Sequence, residues 1–196
     1  LWQVKGNKVL NEKNDVVLEW NNGKGLIFKK TIKLDEKYLF KIKQEIKNNT
    51  SSKINLYPYS QITRNKKPDD VMGFYILHEG FIGVFDGELK EDDYDEIKDK
   101  KIVRNSDNGW LGITDKYWVT AIVPPKDKNF KSSFLYKDNY RANYILNSPV
   151  TINPKSSSDN EVRLFVAAKE VETVDGYAES EKIEKFDLTI DWGWFY

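Results

Sequence analysis

The chain has 196 residues, 31 of them basic and 31 acidic, with no cysteine, a single histidine and 14% aromatics. Zero net charge supplies no basic face for nucleic acid, so none is expected as a partner, and the lack of cysteine removes disulfides and thiolate metal sites. One methionine beside many aromatics favours β-structure, and no run approaches the roughly 18 apolar residues of a membrane span.

The dominant period is two. In "LIFKKTIKL", Leu26, Phe28, Ile32 and Leu34 share a face, with Lys30 the exception, and Asn22-Gly23 and Asp35-Glu36 supply turns on either side. In "YLFKIKQEI", Tyr38, Phe40, Ile42, Gln44 and Ile46 fall on one side and Leu39, Lys41, Lys43 and Glu45 on the other, a strand with one buried and one wet face. The first fifty residues therefore predict an antiparallel meander. Lys53–Tyr59 and Gln61–Arg64 form strands broken at Pro58, which suits an edge or bulge. "GFYILHEGFIGVFDGELKE" predicts two short strands, kinked at Gly80 and Gly83 and joined by an Asp86-Gly87 hairpin turn. Tyr117–Val123 is apolar on both faces and predicts a central strand covered on both sides, ended by Pro124-Pro125. Phe130–Lys137 and Tyr140–Leu146 pair around Asp138-Asn139, and Val162–Lys169 is a further buried strand. The period changes only over Lys169–Ile183, where Val171, Val174 and Ala178 share a helical face interrupted by Gly176, so a helix is expected there. Asn65–Asp70, Glu91–Asn108 and Lys155–Asn160 are polar and predict loops, the second with room for a helical turn. Ten or more strands with one late helix imply a mainly β fold, a sandwich of two large antiparallel sheets in a single domain spanning residues 1–196.

Chemistry is hard to find in this pattern. Lone His78 excludes any mechanism needing two imidazoles; His78-Glu79-Gly80 lacks the second histidine of a zinc-protease helix, and no G-x-S-x-G elbow occurs. Asp92-Asp93 and Asp95-Glu96 lack the glycine and spacing of a calcium loop and read as a solvated acidic stretch. Asn48-Asn49-Thr50-Ser51 holds two overlapping glycosylation-type triplets, a common chance pattern. Trp110, Tyr117 and Trp118 could line a sugar platform, but aromatics at strand period are more often sheet packing. No catalytic residue, cofactor or metal is indicated. The ending Trp192-Gly193-Trp194-Phe195-Tyr196 is rich in aromatics where a free terminus is normally wet.

"GWLGITDKYWVTAIVPP" (Gly109–Pro125) resembles a hallmark segment of the large periplasmic domain of YidC membrane protein insertases, carried by Gly109, Trp110, Gly112, Asp115, Tyr117 and Trp118. Asn22–Thr50, Phe74–Glu91, Arg163–Tyr177 and Phe186–Tyr196 are similar to other blocks of that domain, in order. The resemblance implies a twisted, galactose-mutarotase-like supersandwich with a C-terminal helix, on the periplasmic side of the bacterial inner membrane. It implies a non-catalytic accessory module of a multi-pass insertase, flanked by transmembrane helices absent from this stretch. That insertase would work alone or with the Sec translocon on nascent inner-membrane proteins, with SecF of SecDF a possible contact. The alternative from the same fold is a carbohydrate-binding or mutarotase-like protein. On the resemblance, residues 186–196 lead into a membrane-interface segment, with Trp192, Trp194, Phe195 and Tyr196 at headgroup level.

Overall fold

The computed structural model describes residues 1–68 and 77–192. The chain opens with β1 (Gln3–Lys5), β2 (Val16–Asn21), β3 (Leu26–Leu34) and β4 (Leu39–Asn48), an antiparallel meander as expected. It continues through β5 (Ile54–Leu56), β6 (Tyr59–Arg64), β7 (Gly80–Phe85), β8 (Glu88–Asp93), α1 (Tyr94–Asp99), β9 (Ile102–Ser106), β10 (Gly109–Thr114) and β11 (Trp118–Val123). β12 (Phe130–Lys137), β13 (Asn139–Leu146), β14 (Val150–Ile152), β15 (Ser157–Ala168), α2 (Val171–Ser180) and a 3-10 turn at Phe186–Thr189 complete it. Nine strands form one sheet in the order β1-β2-β3-β4-β15-β11-β10-β7-β8; four form a second, β6-β13-β12-β9; β14 and β5 pair separately.

Local chemistry sets the turns. The Asn22 carboxamide accepts the Lys24 and Leu26 amides at 2.8 and 3.0 Å, and the Asp35 carboxylate accepts those of Lys37 and Leu39 at 3.0 and 2.9 Å. Asp86 and Gly87 both take positive φ, 50° and 81°, the geometry of a two-residue hairpin turn. Asn48, fully buried, donates to the Ser52 and Ile152 carbonyls at 2.8 and 3.1 Å, so its amide is structural.

The large sheet has two different faces. Its inner face meets the four-stranded sheet through Phe81, Phe85, Leu111, Ile122 and Val162, packed on Phe130, Phe134, Ala142 and Tyr144. Its outer face, over β7, β10, β11 and β15, is covered by α2 and the 3-10 turn: Trp110, Val119, Ala121 and Phe165 pack on Val174, Tyr177, Ile183 and Phe186. The middle of the molecule is thus three layers thick. Each fully buried aromatic there contributes about 2–3 kcal/mol by leaving water. Along β1–β3 the register puts Trp20, Phe28 and Ile32 on the same inner face, but there they are only half-buried.

Several expectations need correction. Tyr38 does not share the buried face of β4; it ends the Asp35 turn at φ 67° and is exposed, while Leu39, expected on the wet side, is buried against the outer layer. Gly80 and Gly83 are not kinks. They pair in unbroken register with β8 and β10, and a Cβ at Gly83 would come 2.7 Å from the Trp110 carbonyl oxygen. The polar stretch 91–108 is no loop: it supplies the end of β8, α1 and β9, an edge strand whose alternating polarity masks it. β15 starts at Ser157 and alternates rather than being buried throughout. β14 was unforeseen, and the helix is shorter than expected, Val171–Ser180.

Candidate functional site

The Gly109–Pro125 segment forms the central hairpin of the large sheet, β10 and β11 joined by Asp115–Tyr117. Gly109 sits at φ 138°, and a Cβ there would fall on the Val84 carbonyl oxygen; one at Gly112 would fall on that of Thr120. Only glycine allows these close approaches. Trp110 is fully buried, its Nε1–H donates to the Glu184 carbonyl at 3.0 Å, and its ring meets Phe186 edge-on at 5.4 Å. The Asp115 carboxylate accepts Arg64 Nη1 at 2.5 Å and, more loosely, the Tyr94 hydroxyl at 3.4 Å. Burial, reinforced by Asp115, holds the Tyr94 phenol well above its usual range. Trp110 is therefore packing, not a sugar platform. Tyr117 and Trp118 differ from the expectation of a doubly covered strand: they are 64% and 61% exposed, at the turn end of β11, and the buried residues begin at Val119.

Residues 184–191 lie as a strap across the outer face. At one end, Asn108 Nδ2 donates to the Glu184 carboxylate at 2.8 Å and Lys185 Nζ to the Gly87 carbonyl at 2.7 Å. At the other, the His78 backbone N–H donates to Asp191 Oδ2 at 2.7 Å, beside the start of β7. The His78 ring pairs with the Phe81 carbonyl at 2.9 Å, a structural use of the sole imidazole. Burial pulls the nearby Lys169 ammonium below its usual range, opposed by Asp191, Asp115, Glu79 and Glu91; Lys169 Nζ also donates to Thr114 Oγ1 at 3.2 Å. Burial likewise raises the Glu91 carboxyl, opposed by His78. The His78–Asp191 hydrogen bond fastens the strap at this end. Trp192, beyond them, lines a shallow recess with Leu89, Leu188 and Ile190. Trp194, Phe195 and Tyr196, the other residues expected at the membrane interface, lie outside the described residues.

Sequence reasoning left two surfaces without a role. One is the open inner face of β1–β3. Trp20 stacks on Phe28 at 5.0 Å, Trp2 leans on Trp20 at 6.1 Å, and Lys30 Nζ lies 5.1 Å over the Trp2 ring, which accounts for a lysine on an apolar face. A cleft of about 220 Å³ follows, lined by Phe28, Gln44, Ile46, Tyr57, Tyr59 and Asn160. Asp159 also borders it, but its carboxylate pairs with Lys43 at 2.7 Å. The other is a groove of about 760 Å³ at the Tyr38 end, between Tyr38, Trp118, Val166 and Val171. The turn chemistry of Asp35–Lys37 was the signal that could have released Tyr38 from the strand pattern. The acidic run 92–96 does not converge: Asp92 is buried against Arg104 at 2.7 Å, while Asp95 pairs outward with Lys67 at 2.8 Å.

A nine-stranded sheet backed by four strands, with helices on its other face, is the galactose-mutarotase-like supersandwich. A galactose mutarotase related enzyme from Lactobacillus acidophilus superposes with a TM-score of 0.57 over 86% of this chain and 73% of its own, at 11% identity. The α-galactosidase of Lactobacillus brevis does so at 0.55 over 91% of this chain and 28% of its own, at 10% identity. Likeness at that identity shows the fold alone. The sequence goes further: the family model for the YidC periplasmic domain matches residues 1–196, and the chain belongs to that family. The membrane protein insertase YidC of Pelagibacter ubique is 47% identical over 196 residues, all of this chain and 35% of that protein. The corresponding protein of Brucella suis is 41% identical over 203 aligned positions, all of this chain and 33% of that protein. The chain thus spans about a third of the length of these relatives.

Proposed function

We propose that this chain is one folding unit, the periplasmic accessory domain of an insertase that places proteins in the bacterial inner membrane, and that it performs no covalent chemistry. The family match across every residue carries this reading. The insertase activity, its nascent membrane-protein substrates and its work with the Sec translocon belong to the longer protein; SecF of SecDF is the partner the family resemblance suggests for this domain. On the open part of the inner face the register places Trp20, Phe28, Lys30, Gln44, Ile46 and Asn160, and the one carboxylate that borders the cleft there, Asp159, is paired with Lys43. Residues 186–196 lead to the bilayer, with Trp192, Trp194, Phe195 and Tyr196 at headgroup depth.

The test has two arms. Incubated with an anomerically pure hexose and followed by NMR, the chain should leave the anomeric equilibration rate unchanged; saturable acceleration would support the sugar-enzyme alternative instead. In flotation with phospholipid vesicles, binding should be weak and should fall when Trp192–Tyr196 are removed. Equal flotation with and without them would refute the interfacial ending.

A further inference from the structure

The strap crosses the outer face from the Gly87–Asn108 end of the sheet to the His78 end, so Trp192 emerges where β7 begins. The register puts the Asp115–Tyr117 turn at this same end, because Thr114 pairs with Gly80 and Val119. The Asp35–Tyr38 turn lies there too, since the Tyr38 carbonyl accepts the Val166 amide and Val166 pairs with Thr120. At these tips stand Tyr38, Tyr117 and Trp118, each about 60% exposed, with Val166 and Val171 between them and Lys37 and Lys116 alongside. The Lys116 ammonium lies 5.1 Å over the Tyr117 ring. Tyr38 holds its place at positive φ, a conformation unusual for an aromatic residue. Tyrosine and tryptophan are the chemistry of a headgroup layer, because each ring is apolar with one polar tip.

We propose that this end of the sandwich rests on the bilayer, with Tyr38, Tyr117 and Trp118 as a second set of interfacial contacts beside the C-terminal segment. The inference rests on the reading that residues 186–196 lead to the membrane. Glu36, Glu170 and Glu172 line the groove between the tips, so the contact is aromatic rather than ionic. It should persist in salt and depend little on the share of anionic lipid.

The absence of native cysteine allows one label per molecule. An environment-sensitive fluorophore is attached at Tyr117→Cys, or at Lys126→Cys on the opposite end, in the 196-residue chain carrying a C-terminal histidine tag. Vesicles of phosphatidylethanolamine and phosphatidylglycerol with a nickel-chelating lipid then hold the terminus at the surface whether or not it binds unaided. The label at 117 should shift to the blue and brighten about twofold on tethering, and the label at 126 should not change. No change at 117, an equal change at both positions, or a blue shift at 117 produced by a soluble apolar peptide without vesicles would overturn the proposal. Because the tether supplies the terminal attachment, failure at 117 is distinct from failure of the terminal segment, which untagged flotation reads separately. Trp118→Ala, folded by circular dichroism, should lower untagged flotation about threefold, and undiminished flotation would also count against the contact.

Discussion

The covered and open halves of the nine-stranded sheet share one hydrogen-bonded ladder and differ in almost everything else. Over β7, β10, β11 and β15 the sheet is clad on both faces, and Trp110, Leu111 and Phe165 are completely buried. Over β1–β3 the inner face is largely bare: Trp20 and Phe28 stack on each other and remain half-exposed. The tryptophans of the two halves therefore have different jobs. Trp110 joins layers and anchors the strap, whereas Trp20 joins neighbouring strands within one layer. A continuous ladder fixes register; the cladding fixes how much each side chain contributes to stability.

The sharpest test of this contrast is a pair of truncations. Trp110→Ala removes a buried ring and the Glu184 hydrogen bond and should cost about 4 kcal/mol in urea unfolding, while Trp20→Ala should cost about 1 kcal/mol. Similar losses would break the comparison. Next comes the Arg104–Asp92 pair, with Arg104 lying over the Phe85 and Phe134 rings at 5.4 and 5.6 Å. Arg104→Met strands a buried carboxylate and should cost about 3 kcal/mol at neutral pH; Arg104→Met with Asp92→Leu should recover most of it. The smallest expected effect is alkaline. Burial pushes the Tyr144 phenol up to about 12, from an ordinary 10.0. A raised folded value means the stabilisation is fully present below pH 10 and is lost as the pH rises through 12. Tyr144→Phe should flatten the fall in urea stability over that window, by about 2 kcal/mol at most.

Sequence patterning exposed the meander and the Phe130–Leu146 hairpin because turn residues and period two agree there. It failed where tertiary cover contradicts local polarity. The stretch "IVRNS" looks like a loop because only alternate residues face the core, and its Arg104 enters the interior only by meeting Asp92. Leu39 looks exposed because its strand neighbours Lys41 and Lys43 are charged, yet Phe165 and Tyr177 arrive from more than a hundred residues away to cover it. Conversely, "YWVTAIV" promises burial from end to end, and nothing local records that Tyr117 and Trp118 stand at an open end of the sheet. Of the surface proposed for the bilayer, composition disclosed the terminal aromatics. The gathering of Tyr38, Tyr117 and Trp118 at one end depends on long-range register and was invisible.

The strap has a mechanical consequence. With Glu184 and Lys185 fastened at one edge, Asp191 at the other and Phe186 packed between them, the backbone up to Asp191 is tied to the sheet at both ends. A pull applied at Trp192 would load β10 through the Trp110–Glu184 hydrogen bond and the start of β7 through His78.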